Sequence, residues 1–212
     1  MSTTCVYSDI VLPTATWYEK NDLNTSDMHP FIHPLSSAAD PAWDARSDWD
    51  IFQALGRGVS ALARGLLDTR TDLVCVPLQH DTPDELAVPS GIVRDWKTGE
   101  VDLIPGQTAP RFVAVERDYT AIGAKMSSLG PLVEKLGTLT KGVKMDPTPE
   151  VAALAKINGV LPDGPAAGRP SLVTDVNACE TILALSGTTN GRIAVDGFRD
   201  MEKRTGQRLA DL

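Results

Sequence analysis

Apolar positions fall into a few short runs divided by long polar stretches. Cys5–Leu12 (C-V-Y-S-D-I-V-L) is apolar enough to lie inside a sheet and is followed by Pro13, so it predicts a buried strand. Residues 13–46 carry Pro13, Pro30, Pro34 and Pro41 among polar side chains, which predicts an ordered loop rather than a regular element. Ser47 then reads as an N-cap, with Asp48 and Asp50 in the first turn, where the helix dipole favours acids. From there Ile51, Phe52, Leu55, Val59, Leu62 and Leu66 recur at helical spacing and predict one apolar, core-facing stripe. Gly56, Gly58 and Gly65 weaken this helix slightly, so packing must compensate.

Further along, Asp72–Pro77 and Arg111–Glu116 predict strands, and the stretch between them to about Ala109 predicts irregular structure. Tyr119–Leu136 is weakly helical and interrupted by Gly130-Pro131. Lys141–Pro149 is turn-rich, a short helix follows over Glu150–Asn158, and residues 159–170 form a Gly/Pro linker. Two better-signalled helices close the chain: Thr174 to about Leu185, capped by Thr174-Asp175, and Arg192 to about Arg204, stopped by Gly206.

Charge narrows the function classes. A net charge of −8, with no Lys/Arg run, disfavours a nucleic-acid-tracking surface. The three cysteines, Cys5, Cys75 and Cys179, are widely spaced and form no C-x-x-C pair, a pattern of buried thiols rather than of a disulfide frame, zinc site or cluster. No apolar run reaches the length of a membrane span, and no secretory leader opens the sequence. These features are expected of a soluble cytoplasmic chain.

Candidate chemistry is sparse. His29 and His33 are four apart in D-M-H-P-F-I-H-P, a metal-site spacing on a helix. Each precedes a proline, which biases it to extended backbone, and extended residues four apart stand about 13 Å from each other. One ion does not bridge that gap. Gly137-Thr-Leu-Thr-Lys-Gly142 opens like a phosphate loop, but Val143 interrupts the required ending, so it reads as a turn. Asn24-Thr25-Ser26 fits a glycosylation pattern by coincidence, Asp44, Asp48 and Asp50 read as helix-terminus charges, and His80-Asp81 as a surface hydrogen bond. Residues 13–33 remain. A loop just after the carboxyl end of a sheet strand is where open α/β sheets place ligands. This one offers Trp17, Tyr18, Asn21, Asn24, Thr25, Ser26, three carboxylates, Lys20 and two histidines, a mix suited to a large polar heterocycle with phosphates.

The same residues carry a resemblance. M-S-T-T-C-V-Y-S-D-I-V-L-P-T-A-T-W-Y-E-K-N-D-L-N-T-S-D-M-H-P-F-I-H-P-L resembles the catalytic alpha subunits of membrane-bound respiratory nitrate reductases, within the dimethyl sulfoxide reductase family of molybdopterin enzymes. D-P-A-W-D-A-R-S-D-W-D-I, L-Q-H-D-T-P-D-E-L, D-L-I-P-G-Q-T-A-P and S-S-L-G-P-L-V-E-K-L-G follow in the same order. Many relatives have an Asn-Thr-Glu-Arg-type run after the E-K; here Asn24-Thr25-Ser26-Asp27-Met28-His29 stands instead and points to the respiratory branch.

The resemblance implies an α/β fold: an internal piece of the molybdopterin-cofactor-binding body, with short strands, several helices and long irregular loops. Residues 1–70 would supply a strand, a cofactor-side loop and a helix of the molybdopterin oxidoreductase domain, and residues 71–212 its continuation with irregular insertions and C-terminal helices. It further implies a molybdenum bis(molybdopterin guanine dinucleotide) centre reducing nitrate to nitrite. The iron–sulfur cluster ligands and the molybdenum-ligating aspartate would lie upstream, so no catalytic or metal-ligating residue is assigned here. Lys20, Asn24, Thr25, Ser26, Asp27 and His29 are the expected contacts to cofactor or substrate-channel water. An iron–sulfur beta subunit and a haem-containing membrane gamma subunit would be partners, at the cytoplasmic face of the membrane. A stand-alone binding or scaffold domain, and a chlorate, selenate or formate enzyme of the same family, stay open beside it.

Overall fold

A computed structural model describes residues 2–26, 28–76, 99, 102, 105, 111–131, 133–134, 138–140 and 143–209. Over these residues the chain is mixed α/β, with three two-stranded antiparallel ribbons interleaved with helices.

The N-terminal run departs from its expected strand. Thr3–Val6 makes one helical turn (α1) capped by the Ser2 side chain, and Val6, Tyr7, Ile10, Val11 and Leu12 are exposed. A strand needs a neighbour to take its backbone hydrogen bonds. Among the described residues, that part of the chain has only the single parallel bridge of Thr14 to Arg46.

Residues 13–46 are also more regular than expected. β1 (Asp22–Ser26) and β2 (His29–Leu35) pair antiparallel, with Asn24 opposite His33 and a bulge between Thr25 and Ser26. The prolines that argued against regular structure are compatible with this ribbon. In a two-stranded sheet both strands have a free edge, where a missing N–H costs no ladder bond, and a residue before proline is already extended. His29 and His33 are accordingly both in β2, as their prolines predict.

α2 (Asp48–Ala63) starts where the sequence places it: the Ser47 hydroxyl accepts from Asp50 N–H at 3.1 Å. Its orientation is the reverse of the expected one. Phe52 and Leu62 are 58% and 72% exposed, Leu55, Val59 and Leu66 are exposed too, and the buried side is Gln53, Gly56 and Ala63. The reason is a close helix crossing. A Cβ added at Gly123 would sit 3.1 Å from Arg57 Cα, and one at Gly56 would sit 2.7 Å from Met126 Sδ. Small residues therefore bring α2 against α3 (Ile122–Met126), which follows a short 3-10 turn at Tyr119–Ala121.

β3 (Thr69–Val76) and β4 (Arg111–Asp118) form the second ribbon, matching the two strands read from sequence and extending both. The third, β5 (Thr138–Thr140) with β6 (Val143–Met145), puts a hairpin where a turn-rich segment was expected. Short strands of this kind leave too few alternating positions to register as a period. α4 (Thr148–Ile157), α5 (Asp175–Leu185) and α6 (Gly191–Thr205) follow as predicted. α5 carries a full capping box from Thr174 and Asn177, and α6 ends at Gly206 with φ of 69°. The core lies here: Ile193 is fully buried in a cluster with Met145 and Met201, and Leu154 and Val151 of α4 are buried as well. Glu150 on α4 is buried against Arg192 of α6, whose guanidinium donates to both carboxylate oxygens at 2.7 and 2.5 Å.

Candidate functional site

The β1–β2 hairpin is held at its base by three consecutive residues. Lys20 Nζ lies 3.0 Å from Asp22 and 2.8 Å from Asp48, in the first turn of α2, and 5.5 Å from the Trp17 ring centroid. Its hydrogen bond to Asp48, then that to Asp22, raises the Lys20 pKa against a smaller opposing effect of burial. Burial pushes the Asp22 carboxyl up, but the Leu23 N–H and the Lys20 ammonium outweigh it, and the net shift is downward. Asn21 points the other way. Its backbone N–H donates to Asp175 Oδ2 at 3.0 Å, its Nδ2 lies 3.3 Å from both Asp175 oxygens, and its Oδ1 accepts from Ser37 N–H at 3.2 Å. Tyr18 C=O accepts from the N–H groups of Ala38 and Ala39, closing the hairpin ends.

The expected contact residues divide as follows. Asn24 and Thr25 are exposed on β1, and among the described residues neither side chain has a hydrogen-bond partner. Ser26 Oγ accepts from Met28 N–H at 3.1 Å, and the strand register sets Ser26 opposite His29. Lys20 is turned into its carboxylate pair, leaving at most one ammonium N–H uncommitted. Asp27 and the His80-Asp81 pair lie outside the described residues. Asn24, Thr25, Ser26 and His29 thus share one ribbon, with Lys20 at its root.

Residues that local patterns did not single out join this ribbon and α2 to the C-terminal helices. Trp49 Nε1 donates to Leu172 C=O at 2.8 Å, and Gln53 Nε2 donates to Leu172 C=O at 2.6 Å and Val173 C=O at 3.0 Å. Gln53, only 2% exposed, is a buried polar residue in a helix otherwise judged by its apolar positions. Near Asp22 and Asp175, Cys179 on α5 has its pKa raised, first by burial and then by Asp22, Asp175 and Glu180, which keeps it a thiol. An apolar cleft of about 400 Å³ lies between Leu12, Pro13, Asp44, Arg46 and the α2 residues Ile51, Ala54 and Leu55; none of the expected contact residues lines it. Among the described residues no group of three or more His, Cys, Asp or Glu is arranged to hold a metal ion, and no helix is long and apolar enough to cross a membrane.

The two polypeptide pieces joined here match separate family models. Residues 1–57 match Molybdopterin oxidoreductase, and residues 136–212 match Nitrate reductase alpha chain, domain V. Along its whole length the chain is 55% identical to the Nitrate reductase alpha subunit of Mycobacterium tuberculosis (strain ATCC 25618 / H37Rv). The chain belongs to the nitrate reductase alpha-subunit family. It is also 53% identical, over 98% of its residues, to the Respiratory nitrate reductase 2 alpha chain of Escherichia coli (strain K12), covering 16% of that protein. Over 30% of its residues it is 48% identical to the Perchlorate reductase subunit alpha of Dechloromonas aromatica (strain RCB), covering 7% of it. The chain spans 17% of the length of the M. tuberculosis relative. For the nitrate reductase alpha-subunit family, the molybdopterin oxidoreductase match implies a molybdopterin cofactor. The contacts of α2 with Leu172 and Val173, and of Asn21 with Asp175, therefore join the molybdopterin oxidoreductase segment to the domain V segment.

Proposed function

We propose that this chain is part of the cofactor-binding body of a respiratory nitrate reductase, with the β1–β2 hairpin facing the cofactor or the substrate channel. The observation that carries this reading is the match to nitrate reductase alpha subunits along the whole chain. The donor set on the hairpin fits a molybdopterin guanine dinucleotide, whose phosphates, pterin and guanine all form hydrogen bonds. Asn24 and Thr25 present an amide and a hydroxyl without a described internal partner, and Lys20 lies at the root. Lys20, Asn24, Thr25, Ser26, Asp27 and His29 are the residues that would hold it. When bound, the molybdenum group supplies the oxygen-atom transfer that takes nitrate to nitrite. The chain's own part is to bind and orient, and to order water along the approach. A bis(molybdopterin guanine dinucleotide) form, an iron–sulfur cluster held elsewhere, an iron–sulfur beta subunit and a haem-containing gamma subunit at the cytoplasmic membrane face complete this reading. On this reading the 212-residue chain by itself is expected neither to bind molybdenum nor to reduce nitrate.

The test is nitrate-dependent reoxidation of reduced viologen by the full polypeptide encoded by the gene, purified with its neighbouring subunits. Turnover with nitrate is expected. The 48% identity to a perchlorate reductase subunit over part of the chain supports a second reading, and turnover of perchlorate without nitrate would favour it.

A further inference from the structure

We propose that the domain V segment sets the position of the β1–β2 hairpin through a latch between Asn21 and Asp175, making both positioning residues for the cofactor-facing ribbon. The proposal rests on the reading of that ribbon given above. The two residues are 154 positions apart, yet three donor–acceptor contacts join them, two from the Asn21 amide and one from its backbone N–H. The helix does not need them. α5 is already capped by Thr174 Oγ1, which accepts from Asn177 N–H at 3.1 Å, and Asn177 returns the contact to the cap backbone. Asp175 Oδ1 also accepts from Val176 N–H at 2.8 Å, which fixes the carboxylate while leaving Oδ2 for the hairpin.

At the other end, Asn21 Oδ1 accepts from Ser37 N–H, just beyond β2, so one side chain ties both ends of the ribbon to α5. Lys20, next in sequence, ties the same point to α2 through Asp48. Adjacent residues thus anchor the ribbon to two helix N-termini, one in each family segment. Such an arrangement fixes where Asn24, Thr25 and Ser26 stand. A carboxylate is the group that can take an amide N–H, a backbone N–H and its own helix N–H together, because it is acceptor-only and has two oxygens.

The experiment uses Asn21→Asp, Asp175→Asn and the double exchange in the full polypeptide encoded by the gene. Amide hydrogen exchange over residues 22–35 and 175–185 is read beside kcat and KM for nitrate. Asn21→Asp sets two carboxylates against each other and should speed exchange in the hairpin by about 10- to 100-fold while leaving α5 protected. Asp175→Asn keeps an acceptor for the Asn21 N–H and should give a smaller acceleration, which keeps the test usable if the first variant does not accumulate. The double exchange restores a side-chain donor opposite an acceptor and should recover part of the protection lost in Asn21→Asp, since the exchanged amide at position 175 has one acceptor oxygen for the two backbone N–H groups. In parallel, KM for nitrate should rise in Asn21→Asp and recover in the double exchange. Unchanged hairpin exchange in Asn21→Asp, or a double variant no better protected than Asn21→Asp, overturns the latch. Exchange that responds and recovers while nitrate kinetics never move keeps the latch and overturns the cofactor-facing reading of the ribbon.

Discussion

The polar joint between α2 and the C-terminal segment makes a quantitative prediction, because Leu172 C=O accepts from two donors at once, Trp49 Nε1 and Gln53 Nε2. Trp49→Phe removes one donor and leaves Leu172 C=O satisfied by Gln53, so it should cost about 1 kcal/mol, the net worth of a neutral hydrogen bond. Gln53→Leu removes three bonds: two donated to the 172–173 carbonyls, worth about 0.5–1.5 kcal/mol each, and a longer one accepted from Arg57 Nη1 at 3.3 Å. Arg57 is exposed and can turn to water, and Leu172 C=O keeps Trp49. Val173 is a 44% exposed residue, so its carbonyl is within reach of water, and leucine refills the volume. A loss of about 1–2 kcal/mol is therefore expected. In the double variant Leu172 C=O loses both donors in a part-buried position. That orphaned acceptor adds about 1 kcal/mol beyond the sum of the single losses. Urea unfolding followed by far-ultraviolet circular dichroism reads all four proteins without depending on tryptophan emission. Losses that add to within about 0.3 kcal/mol would refute the shared-acceptor geometry.

Other consequences can be checked in the same way. Leu154→Ala removes a fully buried side chain from the core of the C-terminal helices and should cost about 2–5 kcal/mol, read as a lower urea midpoint; a loss under about 1 kcal/mol would mean the site is not packed as described. Gly123→Ala should destabilise by about 1–3 kcal/mol because its Cβ meets the α2 backbone, whereas Gly56→Ala meets only the movable end of Met126 and should be near neutral. The Glu150 carboxyl is held below its ordinary pKa, chiefly by the Arg192 hydrogen bond. A lowered folded-state pKa adds stability at neutral pH that is lost as pH falls through that value, so the advantage of the native chain over Arg192→Gln should shrink on acidification. An advantage that stays constant from neutral pH to below the usual carboxylate range contradicts it. The exposed face of Phe52, Leu55, Val59 and Leu62 should make the isolated chain self-associate, and Phe52→Lys with Leu62→Lys should move it toward monomer in light scattering.

What was legible in the sequence was local. Ser47, the Thr174 capping box and Gly206 each act within a turn of themselves, so helix starts and stops could be placed from neighbours alone. The face of α2 could not, because burial is decided by the partner. Periodicity finds the apolar stripe, but Gly56, Gly123 and the carbonyls of residues 172–173 select the polar and small side instead. The hairpin at 22–35 was hidden by its own prolines, which read as breakers although a free-edged ribbon tolerates them. Cys5–Leu12 failed for the opposite reason: its composition is that of a buried strand, but the described residues offer it no neighbour. Of the candidate ribbon, Lys20 and the Asn24–Ser26 run were legible as a polar cluster. Asp175 read only as a capping residue, since nothing local ties it to Asn21.

The most direct measurement is amide hydrogen exchange across residues 22–35 in the full polypeptide encoded by the gene, prepared with and without its molybdenum cofactor. Cofactor loading should protect the amides of Asn24 to Ser26 and of His29, with little change on the exposed face of α2. Equal exchange across the hairpin in the two preparations would contradict it, and the ribbon would then be a surface element rather than part of the cofactor site.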